Sequence, residues 1–295
     1  SLQTFWSALP EVEPTSDVIA TPTTSYTTYS HPQAIDSTRI IALKSDMDRT
    51  ARLVEVDMRT GEERTISHVG SVSTRPAIAD DGTIWWTEYR RSLLFQQKVG
   101  SSLCYVDLDN GKVKSVFKYK NVLYPTATDS ADTIAWVEYN PNGTFSIVEG
   151  NEHHRTTIAT MPFGREIHSL AYDNKSCHLY FIATDDSGMW IGRINEDGTT
   201  TPITEGAYIT LSDLRADNGV LYFGSIASGK DEVHCLDIAT GKQYQISHST
   251  YGAFSPAPTF DGRVVMTRYD RDGYQLAIQR IDSLPLTPVE PSLTP

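Results

Sequence analysis

The sequence predicts an all-β chain: a six-bladed β-propeller of four-stranded antiparallel blades, its ring closed by an N-terminal strand. Three observations predict it. A strand–turn–strand phrase recurs six times, and a second turn phrase recurs at its own place within the repeat. The last copy is one strand short, while a spare strand-like stretch stands at the other end of the chain.

The first phrase is plainest in "RPAIADDGTIWWTEY". Its other copies are "YSHPQAIDSTRIIALKS", "LYPTATDSADTIAWVEY", "IHSLAYDNKSCHLYFIA", "LSDLRADNGVLYFGS" and "FSPAPTFDGRVVMTRY". Each reads as a short strand, a polar Asp/Asn/Gly turn and a strongly apolar strand. Aligned on Pro32, Pro76, Pro125, Ser169, Asp213 and Pro256, the copies are 44, 49, 44, 44 and 43 residues apart. A period near 44 with no helical segment inside it marks propeller blades of about four strands each.

The second phrase is Asp-x-x-Thr/Asn-Gly, at Asp57 to Gly61, Asp107 to Gly111 and Asp237 to Gly241, with a weaker relative at Asn195. Asp and Asn hydrogen-bond the backbone two residues on and Gly accepts positive φ, so this is hairpin chemistry joining third and fourth strands.

After "YQLAIQRID" the chain turns Pro-rich, and residues 283–295 read as a tail or linker. Blade six then lacks its fourth strand. The stretch "DVIATPTTSYTTY", Asp17 to Tyr29, has the Val, Ile, Thr and Tyr content of a strand and is expected to supply it. The propeller is therefore 17–282, with first strands starting near 31, 75, 124, 168, 212 and 255. Residues 1–16 form an approach segment. The chain opens without Met or a signal-peptide pattern, as expected for a piece of a longer product.

Composition narrows the function classes. At 39% hydrophobic and 21% charged residues the chain reads as soluble and globular, and it has no run of about 18 apolar residues to span a membrane. The formal charge of −12 and the absence of a basic stripe argue against nucleic acid. Cys104, Cys177 and Cys235 are scattered, without ligand spacing, and read as small strand residues.

HExxH, a phosphate-cradling Gly-rich loop and a nucleophile elbow are all missing. In "NEHHR", Glu152, His153 and His154 alternate faces if extended, so they read as a hairpin tip, and neither a metal nor a cofactor is expected. Trp86, Trp136, Phe181, Phe223 and Met266 occupy equivalent places and read as packing between blades. The candidate site is one mouth of the channel, where first strands start and second strands end. His31, Arg75, Tyr124, His168, Asp213 and Ser255 come from the former, and Glu88, Glu138 and Arg268, with Tyr89, Tyr139 and Tyr269, from the latter. Such a mixed-charge, aromatic-rimmed mouth suits a protein, peptide or glycan. The plainer reading is that these groups only hydrate the channel. No catalytic residue is assigned; Glu88 and Glu138 are the only equivalently placed carboxylates in adjacent blades, and an acid/base pair of the glycosidase sort is the rival reading.

The line "FSPAPTFDGRVVMTRYDRDGYQLAIQRID", with "RPAIADDGTIWWTEY" and "LDIATGK", resembles the Ser-Pro-x-x-Ser-Pro-Asp-Gly repeat of TolB-like propellers over roughly residues 17–282. The opening "YTTYSHPQAIDSTRIIALKSDMDRTARLVEVD" and the close "STYGAFSPAPTFDGRVVMTRYDRDGYQLA" are similar to the propeller segment of large cell-envelope proteins of Bacteroidetes-type bacteria. The resemblance implies a non-catalytic binding or scaffolding module, periplasmic or associated with the outer membrane or cell surface. Its alternatives are a hydrolase, or the lid of a peptidase whose catalytic part lies outside this chain. One sialidase-like spacing, Asp80, Gly82 and Trp85, has Ile78 where Ser belongs and reads as a turn.

Overall fold

The structure is a computed structural model that describes residues 13–19, 25–91, 99–107, 111–117, 120–130, 133–281 and 286–289. The described residues are strands and turns arranged as a propeller. In chain order they begin with β1 (Asp17–Val18), β2 (Thr27–Ala34), β3 (Arg39–Asp46), β4 (Arg52–Asp57) and β5 (Glu63–His68). A four-stranded sheet follows: β6 (Ser71–Ile78), β7 (Thr83–Arg91), β8 (Val99–Asp107) and β9 (Val113–Val116). The next is β10 (Val122–Ala127), β11 (Ile134–Tyr139), β12 (Phe145–Gly150) and β13 (Arg155–Thr160). Then come β14 (Glu166–Asp173), β15 (His178–Asp185), β16 (Gly188–Ile194) and β17 (Thr200–Pro202). A further sheet holds β18 (Leu211–Asp217), β19 (Val220–Ser225), β20 (Glu232–Asp237) and β21 (Gln243–Gln245). The chain ends with β22 (Ala253–Pro258), β23 (Arg263–Asp270), β24 (Gly273–Arg280) and β25 (Thr287–Pro288).

Six separate sheets are expected from the repeats; hydrogen bonding joins the described strands into five. The ends of the chain explain the difference. β1 pairs antiparallel with β24, Asp17 opposite Ile278 and Val18 opposite Ala277, which puts the N-terminal segment on the last strands. The chain then enters β2, whose first residues pair in parallel with Gly273 and Tyr274. That contact fuses β22–β24 and β1 with β2–β5 into one eight-stranded sheet. Gly273 permits it: its φ is 118°, and a Cβ there would collide with the Thr27 carbonyl oxygen.

The buried side chains fall into six clusters, each between two successive groups of strands. One of these, Ile40, Val54 and Val56 against Ala257, Val265 and Leu276, lies between the two halves of the eight-stranded sheet. The doublet Trp85–Trp86 is explained by the same layering. Successive residues of a strand face opposite ways. Trp86 packs on Ile41 and Leu53 of the preceding strands, and Trp85 packs with Val122 and Trp136 of the following ones. Tyr180–Phe181 and Tyr222–Phe223 divide likewise between neighbouring clusters. The second strands are apolar without alternation because both faces are covered.

The Asp-x-x-Thr-Gly turns form as their chemistry demands. Asp57 Oδ1 accepts from the backbone N–H of Arg59 and Thr60 at 2.8 and 2.9 Å, and Gly61 has φ 72°. Asp237 accepts from Thr240 N–H at 2.7 Å, with Gly241 at φ 69°.

Three expectations need correction. The Pro-rich tail contains a strand, since Thr287 and Pro288 pair with Gln245 and Tyr244 at the edge of β21. An edge tolerates proline because one side of the strand needs no donor. At the other end, Thr15 and Ser16, expected in an approach segment outside the propeller, bond to it: Thr15 N–H donates to the His248 carbonyl at 3.0 Å and Arg268 donates to the Ser16 carbonyl at 2.5 Å. Residues 1–12, 283–285 and 290–295 lie outside the described residues. Cys104 and Cys235 are buried strand residues, but Cys177 is exposed in the β14–β15 turn at φ 55°.

Candidate functional site

Each first strand, β2, β6, β10, β14, β18 and β22, carries a bulge where it pairs with its second strand. At four of these bulges a non-glycine residue is forced into the left-handed region: His31, Tyr124, Asp213 and Ser255, with φ between 49° and 51°. Left-handed backbone costs such residues about 1–3 kcal/mol each, and bulges of this kind re-aim side chains. All four are residues that the sequence places at the candidate mouth.

Three of them converge. Asp213 accepts a hydrogen bond from Ser255 Oγ at 2.6 Å, and its other oxygen lies 3.5 Å from His31 Nδ1. Burial alone would push the Asp213 carboxyl up, but His31, Ser255 and the charge of Arg75 outweigh it and hold the group well below the usual carboxylate range. Tyr124 is half-buried, its backbone N–H bonded to Thr74 Oγ1 at 2.9 Å. Burial, then the charges of Asp213 and Tyr89, push its phenol up to about 12. His168 is half-buried, and burial lowers its pKa.

Arg75 does not stand at the mouth. It is 4% exposed and crosses the channel, donating to the carbonyl of Leu170 at 2.5 Å and to that of Leu214. Arg215, which the sequence reading passed over, makes the corresponding reach from β18 to the Pro32 carbonyl at 3.2 Å. Both line a cavity of about 190 Å³ walled by the later halves of all six first strands, with Gln33, Thr126, Tyr172 and Asp217 among its other residues.

The second-strand residues do not join this group. Glu88 accepts from Trp86 Nε1 at 2.9 Å, from Gly70 N–H at 2.8 Å and from Arg90 at 3.0 Å. Glu138 repeats the arrangement, with Trp136 Nε1 at 3.0 Å and Arg155 at 2.7 Å. Each carboxylate is buried and engaged by its own indole and guanidinium. Arg268 is likewise buried, between Ser16 and Asp270. Glu152 sits on the β12–β13 hairpin with His153 3.3 Å away and Tyr105 Oη at 2.8 Å. Among the described residues no group of three His, Cys, Asp or Glu is placed to hold a metal ion.

Exposed apolar side chains reveal a second feature. In an antiparallel blade, the starts of first strands, the ends of second strands and the loops beside them share one end of the propeller. Tyr26, Met47, Tyr89, Tyr139, Phe163, Tyr208, Ile226, Tyr251 and Tyr269 all lie there, and of the exposed large hydrophobic side chains among the described residues only Val113 and Phe260 do not. Phe163 and Tyr208 are 81% and 76% exposed. Sequence reading found Tyr89, Tyr139 and Tyr269 because they end repeated strands. It missed Phe163, Tyr208 and Tyr251, whose loops share no phrase.

No protein-family model matches the chain, and no curated protein matches it in sequence. Solved structures do match its architecture. TolB from Acinetobacter baumannii aligns with a TM-score of 0.60 at 15% identity, over 83% of this chain and 64% of that one. The fold is that of the TolB-type propellers. A putative TolB from Agrobacterium tumefaciens aligns at TM-score 0.58 and 15% identity over 77% of this chain and 83% of its own. A Bacteroides thetaiotaomicron protein of unknown function aligns at 0.62 and 10% identity over 90% and 75%. At these identities the likeness is one of fold. The chain spans 64% of the length of the Acinetobacter TolB.

Proposed function

We propose that this chain is a six-bladed propeller closed by its N-terminal strand, and that its aromatic end docks a protein or peptide ligand as a non-catalytic module of a bacterial cell-envelope protein. Six blades are supported by the six inter-sheet cores and by the contacts of the first strands, which run β2–β6–β10–β14–β18–β22 and back to β2. Closure is supported by the β1–β24 pairing.

One observation carries the docking reading: nearly every large exposed apolar side chain among the described residues stands on the same end. Exposed aromatic surface is ordinarily covered, and Tyr combines apolar area with a hydrogen-bonding tip at low entropic cost. A photo-crosslinking residue at Tyr208 or Phe163, compared with one at Phe260 on the opposite end, tests it. Discrete adducts with an envelope protein from the first two sites and none from Phe260 are expected. Equal labelling from both ends, or none, would sink the docking role.

The envelope assignment rests on the resemblance of the repeat phrases. Fractionation of source cells with an antibody to residues 17–282 tests it. A band in the envelope fraction well above 32.8 kDa is expected. A soluble band at that mass would overturn it.

A further inference from the structure

We infer that the channel holds a small oxyanion, a carboxylate or phosphate, between the guanidinium groups of Arg75 and Arg215. This goes beyond the docking reading and uses a different part of the molecule.

Both arginines wall the same cavity and are at least nine-tenths buried, at 4% and 9% exposure. Among the described residues neither is in an ion pair. Arg75 is bonded to two carbonyls and Arg215 to one. The carboxylate that acts on both, Asp213, is already engaged by His31 and Ser255. A buried charge facing only neutral dipoles is costly, and two of like sign in one channel add mutual repulsion. Burial and then the neighbouring Arg215 act to lower the pKa of Arg75, while the charge of Asp213 acts to raise it.

Geometry supplies the ligand class. Among the described residues neither the buried Arg75 Nε nor the buried Gln33 Oε1 has a hydrogen-bond partner, and both residues line the cavity. A guanidinium fork matches the oxygens of a carboxylate or phosphate, and an amide turned about its last bond offers its NH₂ to the same anion. A volume of about 190 Å³ admits a small anion with a few waters and excludes a folded chain segment. Asp217 lies on the wall as well, its carboxyl held up chiefly by burial, so the anion belongs on the Arg75–Arg215 side.

Isothermal titration of the full chain with inorganic phosphate in Tris–chloride at constant ionic strength tests this. One saturable site per chain is expected, with succinate competing for it. Arg75→Gln and Arg215→Gln should each weaken phosphate at least tenfold, while Arg39→Gln, on the surface beside Asp36 and Glu55, should leave it unchanged. If Arg75→Gln fails to fold, Arg215→Gln decides alone, and Arg215→Lys should bind with intermediate strength. No saturable binding by the unaltered chain would overturn the inference and leave both arginines as braces between carbonyls. Binding that survives Arg215→Gln unchanged would overturn it too, by placing the anion elsewhere. The titration needs no protein partner, so its failure is separable from a failure of crosslinking at Tyr208.

Discussion

Glu88 and Glu138 lie within the second strands with an indole N–H and a guanidinium each, whereas Arg75 and Arg215, equally buried, face neutral carbonyls across the channel. The first arrangement is local and complete. Trp-x-Glu places indole and carboxylate on one face of a strand, and a neighbouring arginine closes the set. The second is assembled from strands far apart in sequence and stays short of negative charge. Buried charge that is fully paired in this molecule belongs to its architecture, and buried charge left over marks where something else is to be bound.

The largest expected effect comes from a third kind of buried polar group, one with no hydrogen-bond partner among the described residues. His234 is fully buried, stacked 6.0 Å from the Phe223 ring, with neither ring nitrogen bonded. Burial, reinforced by His248, pushes its pKa down to about 4. The unfolded chain takes up the proton near pH 6.5, so the contribution of the neutral ring is fully present above that pH. It is lost as pH falls toward 4, by about 3 kcal/mol in all. Urea midpoints between pH 7 and 4 should fall steeply in the native chain and much less in His234→Phe; parallel curves would refute this.

Breaking a complete set comes next. Glu138→Leu leaves the Trp136 N–H buried without an acceptor, while Arg155, partly exposed, regains water, so a loss of about 2 kcal/mol in urea unfolding is expected. The same operation in the channel should carry the opposite sign. Arg215→Met removes a buried charge that has no ion-pair partner among the described residues, and stability in chloride buffer should hold or rise by about 1 kcal/mol. If both substitutions destabilised equally, the contrast between the two regions would be lost.

The smallest effect belongs to the exposed end. Phe163→Ser should change stability by less than about 0.5 kcal/mol, because the ring is 81% exposed. A larger loss by thermal melting would mean that the ring serves packing and not docking.

Much of the fold was legible because propeller repeats are local. The spacing of Pro32, Pro76, Pro125 and Pro256 located the first strands, and the Asp-x-x-Thr-Gly turns located the outer hairpins. Trp86 and Trp136 were recognisable as packing from their equivalent places, and both are fully buried. The site was legible in part. His31, Asp213 and Ser255 do converge, since they occupy the same bulge in different first strands. Glu88, Glu138 and Arg268 do not, because position along a strand says which end a residue is near but not which partner takes its charge. The tail strand escaped notice because its two residues carry no alternation, and proline argued against pairing.

By itself, the sequence determined the all-β class, the repeat, the turn chemistry and the faces that each strand buries. These follow from periodicity and backbone preference, which act over a few residues. Only the tertiary structure decided that Arg75 turns into the channel, that Arg215 meets it there, and that loops without a common phrase gather their aromatic side chains on one end. Those outcomes depend on which distant strands become neighbours when the sheets pack around an axis, and on the charge that such packing leaves unpaired.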